Sequence, residues 1–162
     1  KKTGDEELLV NTTEPYTGVV AFNLRDGQEA GLLEVKANGP WKIEITDMSG
    51  IKRYYASDVA ITAEGDDVFM LGPRKCISMV IVGNVDSRHF AVAVINEDGS
   101  DLLVNTTDTY SGTVICPATP ALVIVKATGL WAITNSRARL IVSCLGFSMN
   151  SGFEMAKMIR IR

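Results

Sequence analysis

The sequence predicts an all-β protein: two small Ig-like or jelly-roll-type antiparallel sandwiches derived from one duplicated unit. Three observations carry that expectation. Val, Ile and Thr supply 16, 13 and 13 of the 162 residues, and β-branched side chains fit a pleated, half-buried surface. Apolar and polar residues alternate over several stretches, the period of a strand with one buried face. Finally, one block of sequence occurs twice.

The duplication opens the chain. LLVNTTEPYTGVVAFN (8–23) matches LLVNTTDTYSGTVICP (102–117) at nine of sixteen positions, and GLLEVKANGPWKI (31–43) matches ALVIVKATGLWAI (121–133) at seven of thirteen. The offset between copies falls from 94 to 90, so the first copy carries four extra residues around 24–30, where a surface connection tolerates insertion. Within 33–45 the odd positions are Leu, Val, Ala, Gly, Trp, Ile and Ile, while the even ones include Glu34, Lys36, Asn38, Lys42 and Glu44. That alternation places Trp41 on the buried face of a sheet. A two-residue Asn38-Gly39 hairpin would set Val35 opposite Lys42 and mix the faces. An odd loop centred on Gly39, or a strand that bends between sheets, keeps Val35 beside Ile43; the odd loop is the expectation.

A polar stretch, TDMSGIKRYYASD (46–58), follows the first copy. Three strand-like runs come next, at 67–71, 76–82 and 89–95, separated by Gly, Pro, Asn and Asp turns. The last two are apolar on both faces, as expected of central strands. The second copy follows, then RLIVSC (139–144) and SGFEMAKMIRIR (151–162), whose closing Ile/Arg alternation suits an edge strand. The expected organisation is a complete sandwich over 46–137 and a second one made of 1–45 closed by strands from 138–162. Without such closure the first half-unit would expose unpaired strand edges. A partner molecule supplying those strands is the alternative, so the chain is expected to be a monomer or a strand-swapped dimer.

The succession Gly-Asp-Asp-Val, Phe-Ala-Val, LLVNTT, Tyr-Ser-Gly and Leu-x-Val-x-Ala-x-Gly-x-Trp-x-Ile resembles a repeat of uncharacterised secreted or surface-anchored bacterial proteins. The resemblance covers about 65–135, and 8–45 again; 138–162 lacks a clear Gly-Asp-Asp-Val. It implies a small β-sandwich in an extracytoplasmic setting and no activity.

Composition narrows the function. A formal charge of −3, with 46% hydrophobic and 22% charged residues, excludes a disordered chain and a nucleic-acid binder that works by bulk positive charge. The longest apolar runs are too short to cross a bilayer as a helix. The chain opens on Lys1, as a trimmed or processed form does, so no secretory signal is there to be read. Cys76, Cys116 and Cys144 allow at most one internal disulfide, and with a single His89 and no C-x-x-C pair they do not suit a zinc site. No cofactor is implied.

Candidate site residues are few. Trp41, Trp131, Tyr16 and Tyr110 could form an aromatic platform for a sugar; their strand-like positions favour a core role instead. The Asn-Thr-Thr triplets at 11–13 and 105–107 match the N-glycosylation pattern, but Asn and Thr also satisfy backbone groups where strands turn. The acidic turns at 64–67 and 96–101 offer oxygens for calcium yet do not follow a calcium-loop pattern. Asp66 and Asp67 would project to opposite faces of a strand rather than toward one substrate. Catalytic motifs are lacking, and a catalytic base would have to be His89, read here as a strand-end residue. Residues 1–135 carry a net −7 and 136–162 a net +4; the basic tail is read as docking on the acidic body, ahead of binding an anionic polymer. The expectation is therefore a non-catalytic extracytoplasmic module for adhesion, ligand binding or spacing, with a surface polymer or protein as partner and a carbohydrate-binding module as the alternative.

Overall fold

The computed structural model describes residues 6–24, 30–55, 60–73, 76–83 and 89–135. The closing strands expected within 138–162, the basic tail and Cys144 lie outside the described residues. Nine strands are described: β1 (Lys52–Tyr54), β2 (Ile61–Glu64), β3 (Asp67–Leu71), β4 (Ser78–Gly83), β5 (Phe90–Asn96), β6 (Gly99–Thr106), β7 (Tyr110–Ile115), β8 (Ala121–Ala127) and β9 (Leu130–Asn135). They form a five-stranded sheet, β1-β3-β8-β5-β6, and a four-stranded sheet, β2-β9-β4-β7. All pairings are antiparallel except the edge pair of β1 and β3.

Among the described strands, only β5 and β6 are consecutive and paired with each other. Their turn suits the role: Asp98 donates its amide to Asn96 Oδ1 at 3.0 Å, and Gly99 takes φ 127°, a conformation that excludes most side chains. Every other described connection carries the chain from one sheet to the other. At the turn of the second copy equivalent to Gly39 this rules out a hairpin with an odd loop. In the second copy the residues equivalent to Asn38 and Gly39 are Thr128 and Gly129, which cross from β8 in one sheet to β9 in the other. Val125 and Ala127 on one side and Trp131 and Ile133 on the other all face the same interior. A hairpin with an odd loop produces the same alternation, so periodicity alone could not separate the two.

The interior is built by alternation. β4 and β5 bury every second residue, so each is interior in its sheet but closed on one face, not both. Phe69, Leu71, Met79, Ile81, Phe90, Val92, Val123, Val125 and Ile133 are fully buried. Each such side chain is worth roughly 1.5–3 kcal/mol. The two sheets meet through aromatic rings: Phe69 of β3 stacks on Trp131 of β9 at 6.1 Å, and Tyr54 of β1 meets Phe69 edge-on at 5.4 Å. At the other side, the Phe90 ring occupies the space where a Cβ on Gly83 would stand. In β6 the register against β5 skips Leu103, a bulge that lets Leu103 and Val104 both turn toward the interior.

A disulfide joins Cys76 to Cys116 across a separation of 40 residues. It lies just beyond the ends of β4 and β7, beside the hydrogen bond from Cys116 N to the Ile77 carbonyl.

The first copy takes a different course. Its described residues, 6–24 and 30–45, contain no strand. Trp41, expected on a buried face, is 51% exposed, whereas Trp131 is 3% exposed. The reason is partnership. Trp131 sits on a strand paired on both sides, by β2 and β4, and is roofed by Phe69. Nothing described plays those parts for Trp41.

Candidate functional site

The densest set of specific contacts surrounds Gly65 and Asp66, the two residues that carry the chain from β2 to β3. Gly65 takes φ 76°, which a glycine adopts without strain. The second crossing, at Thr128 and Gly129, lies against it, and three hydrogen bonds hold the two together. Gly65 N donates to the Gly129 carbonyl at 3.2 Å, Ala127 N donates to Asp66 Oδ1 at 2.8 Å, and Trp131 Nε1 donates to the Gly65 carbonyl at 2.9 Å. The indole that fills the core thus also fixes the turn.

The first copy docks on the outside of this turn. Tyr16 donates its hydroxyl to Asp66 Oδ2 at 2.7 Å, and Val19 N donates to the Asp66 carbonyl at 3.0 Å. Gly18 between them is buried; a Cβ there would overlap the Tyr16 hydroxyl and crowd Asp66 Cβ. Asp66 therefore engages both carboxylate oxygens and its carbonyl. Burial, and after it the hydrogen bond to and charge of Asp66, push the Tyr16 phenol well above its ordinary range. It stays a neutral donor at any physiological pH, which suits a structural joint and not acid–base chemistry.

Asp67, one residue on, turns away as its strand position requires. Its buried carboxylate pairs with Lys52 Nζ at 2.9 Å and accepts from Val68 N at 3.0 Å. The two carboxylates of Gly-Asp-Asp thus serve different partners. Among the described residues there is no group of three or more His, Cys, Asp or Glu placed to hold a metal ion.

The proposed aromatic platform is distributed as follows. Tyr16 is in the joint, Tyr110 lies against Phe90 at 6.4 Å on the flank of the core, Trp131 is enclosed, and Trp41 stands apart and exposed. His89 is exposed beside the start of β5, its Nε2 3.2 Å from Asn105 Oδ1. The two Asn-Thr-Thr triplets share a turn: Glu14 N donates to Thr12 Oγ1 at 3.0 Å, and Asp108 N to Thr106 Oγ1 at 3.1 Å. A shallow groove of about 230 Å³ runs beside the β5–β6 turn, lined by Asn96, Asp98, Ser100, Asp101 and Pro117 among others.

Sequence reasoning singled out Tyr16 and Asp66 separately but did not join them. The signal available was the pairing of Tyr-x-Gly with Gly-Asp in a single pattern. No helix among the described residues is long and apolar enough to cross a membrane. Comparison of the chain with protein-family models, with curated proteins and with solved structures found no match.

Proposed function

We propose that the chain is a non-catalytic, extracytoplasmic spacing module, in which a β-sandwich is fastened to the segment that precedes it. The observation that carries this reading is the joint on Asp66, where one carboxylate ties the preceding segment through Tyr16 and the sandwich through Ala127 N. A spacer needs its connections held in one orientation; a freely hinged linker would leave those donors to water. The disulfide between Cys76 and Cys116 suits an oxidising compartment outside the cytoplasm. Amide hydrogen exchange tests the reading: Val19 N should be protected to nearly the same degree as Ala127 N. Exchange of Val19 at the rate of an open chain would remove the basis for it.

One observation favours the carbohydrate-binding alternative: Trp41 presents half of its surface to solvent, as a sugar-stacking ring must. Since Trp131 is enclosed, a change in tryptophan emission on titration with oligosaccharides would report on Trp41. Saccharide binding abolished by Trp41→Ala would replace spacing with recognition.

A further inference from the structure

The outer edge of β7 repeats, unoccupied by any described strand, the surface with which the first copy grips the Gly65-Asp66 turn. Tyr110, Ser111, Gly112 and Thr113 correspond to Tyr16, Thr17, Gly18 and Val19. The local geometry corresponds too. In each segment the tyrosine hydroxyl lies over the glycine two residues on, filling the place of its Cβ. In each, the turn just before is closed by the matching threonine hydroxyl.

Hydrogen-bond parity extends the match to the backbone. Among the described strands β7 pairs with β4 alone. Cys116 N donates to the Ile77 carbonyl directly opposite it, and the register continues through Val114 with Met79, Gly112 with Ile81 and Tyr110 with Gly83. Alternate residues of an antiparallel strand bond to opposite sides, so the amides and carbonyls of Ser111, Thr113 and Ile115 point away from β4, into the open edge. These are the counterparts of the groups the first copy uses. Val19 N reaches the Asp66 carbonyl, and the Thr17 carbonyl lies against Gly65. Among the described residues the Tyr110 hydroxyl has no hydrogen-bond partner, where that of Tyr16 has Asp66.

We propose that this edge, centred on Tyr110, Gly112 and Thr113, is a docking site for the Gly-Asp turn of a second copy of the sandwich. Tyr110 donates to the incoming Asp66 carboxylate and Thr113 N to its carbonyl, so that sandwiches join head to tail through the contact already made within one chain. The occupant is specified by that contact: an acidic turn with a glycine in the left-handed conformation, whose carboxylate accepts from the tyrosine hydroxyl and whose carbonyl accepts from the amide three residues further on. The inference rests on the spacing reading and adds to it what the module connects to.

In the wild-type chain the turn is taken by its own Tyr16 segment, which competes at the high effective concentration of a tethered group. Gly18→Val removes that plug, because a side chain at 18 has no room beside Tyr16 and Asp66. Sedimentation of the full chain then tests the site. The G18V chain should associate with rising concentration while the wild type stays monomeric at the same loading. Thr113→Pro removes the outward amide without breaking a bond to β4 and should lower the association constant of G18V at least tenfold; Tyr110→Phe should lower it several-fold. Far-UV circular dichroism and the emission of Trp131 establish that each variant is folded, and Tyr16→Ala serves as a second way to free the turn. A folded G18V or Y16A chain that stays monomeric overturns the proposal, as does association that survives T113P and Y110F unchanged. Such a result leaves the spacing reading standing, since that is read from amide exchange at Val19 in the wild-type chain.

Discussion

Val-Lys-Ala-x-Gly-x-Trp-x-Ile occurs at 35–43 and again at 125–133, and the two stretches end in different places. The later one spans two sheets and buries its tryptophan; the earlier one pairs with no described strand and exposes it. The same side chains in the same order specify a face that is able to be buried. Whether it is buried depends on neighbours: β2 and β4 beside Trp131, and Phe69 above it. The Tyr-x-Gly segments teach the complementary lesson. There the local geometry is the same in both copies, because a ring folding over a glycine two residues away requires no strand partner.

The sharpest way to break the tryptophan comparison is to truncate each ring. Trp131→Ala should cost about 4 kcal/mol in chemical denaturation, the range for emptying an aromatic core site, and it also strips the Gly65 carbonyl of its donor. Trp41→Ala should cost under about 0.5 kcal/mol, as exposed substitutions do. Equal losses would mean that Trp41 has a partner in the folded protein.

A second difference is covalent. Cys116 of the later copy is disulfide-bonded, while the equivalent position of the earlier copy is Phe22. By the chain-entropy model, closing a loop of this length is worth about 4 kcal/mol, less any native strain. Reduction, or the paired Cys76→Ala and Cys116→Ala substitutions, should lower the midpoint of thermal unfolding of the sandwich and leave protection of the Val19 amide to follow it down. The buried ion pair provides a third test, confined to the sandwich. Lys52→Met leaves the enclosed Asp67 carboxylate without its counter-charge and should cost about 3 kcal/mol in chemical denaturation.

The smallest effect separates the two tyrosines. Tyr16→Phe removes a bond to a carboxylate and should cost about 2 kcal/mol, seen as faster exchange at Val19 and earlier proteolysis within 6–24. Tyr110→Phe should change the stability of the monomer by less than about 0.5 kcal/mol. The pH dependence follows from the raised titration of Tyr16. Its neutral form is favoured by the fold, so the contribution is complete below the ordinary phenol value of 10.0 and is lost as alkaline pH approaches the raised value. Y16F should show less alkaline loss than the wild type in pH-jump denaturation. Tyr54, raised chiefly by burial, with Lys52 opposing and Asp67 adding to the shift, acts in the same direction.

Much of the sandwich was legible in the residues. The run at 67–71 is β3 residue for residue, and β4 and β5 begin within a few residues of where turn signals and apolar runs place them. β8 and β9 follow from alternation. β1 was hidden because a three-residue parallel edge strand in a polar stretch has no period to display, and β2 because four residues following the polar stretch form no run. The joint was hidden for another reason. Tyr16 and Asp66 are 50 residues apart and Asp66 and Ala127 are 61 apart, and periodicity says nothing about which turn meets which strand. Gly65 was visible as a turn residue; that its carbonyl would hold the core indole was not.

The disulfide has one more consequence, mechanical in kind. The chain between Cys76 and Cys116 holds all of β4 to β7 inside a covalent ring. If the protein is pulled by its two ends, β1 to β3 and β8 to β9 can be drawn out, but those 40 residues cannot lengthen while the bond stands. At about 3.3–3.6 Å per extended residue, roughly 130–145 Å of contour is held in reserve, and the edge bearing Tyr110 stays stapled to β4 under load.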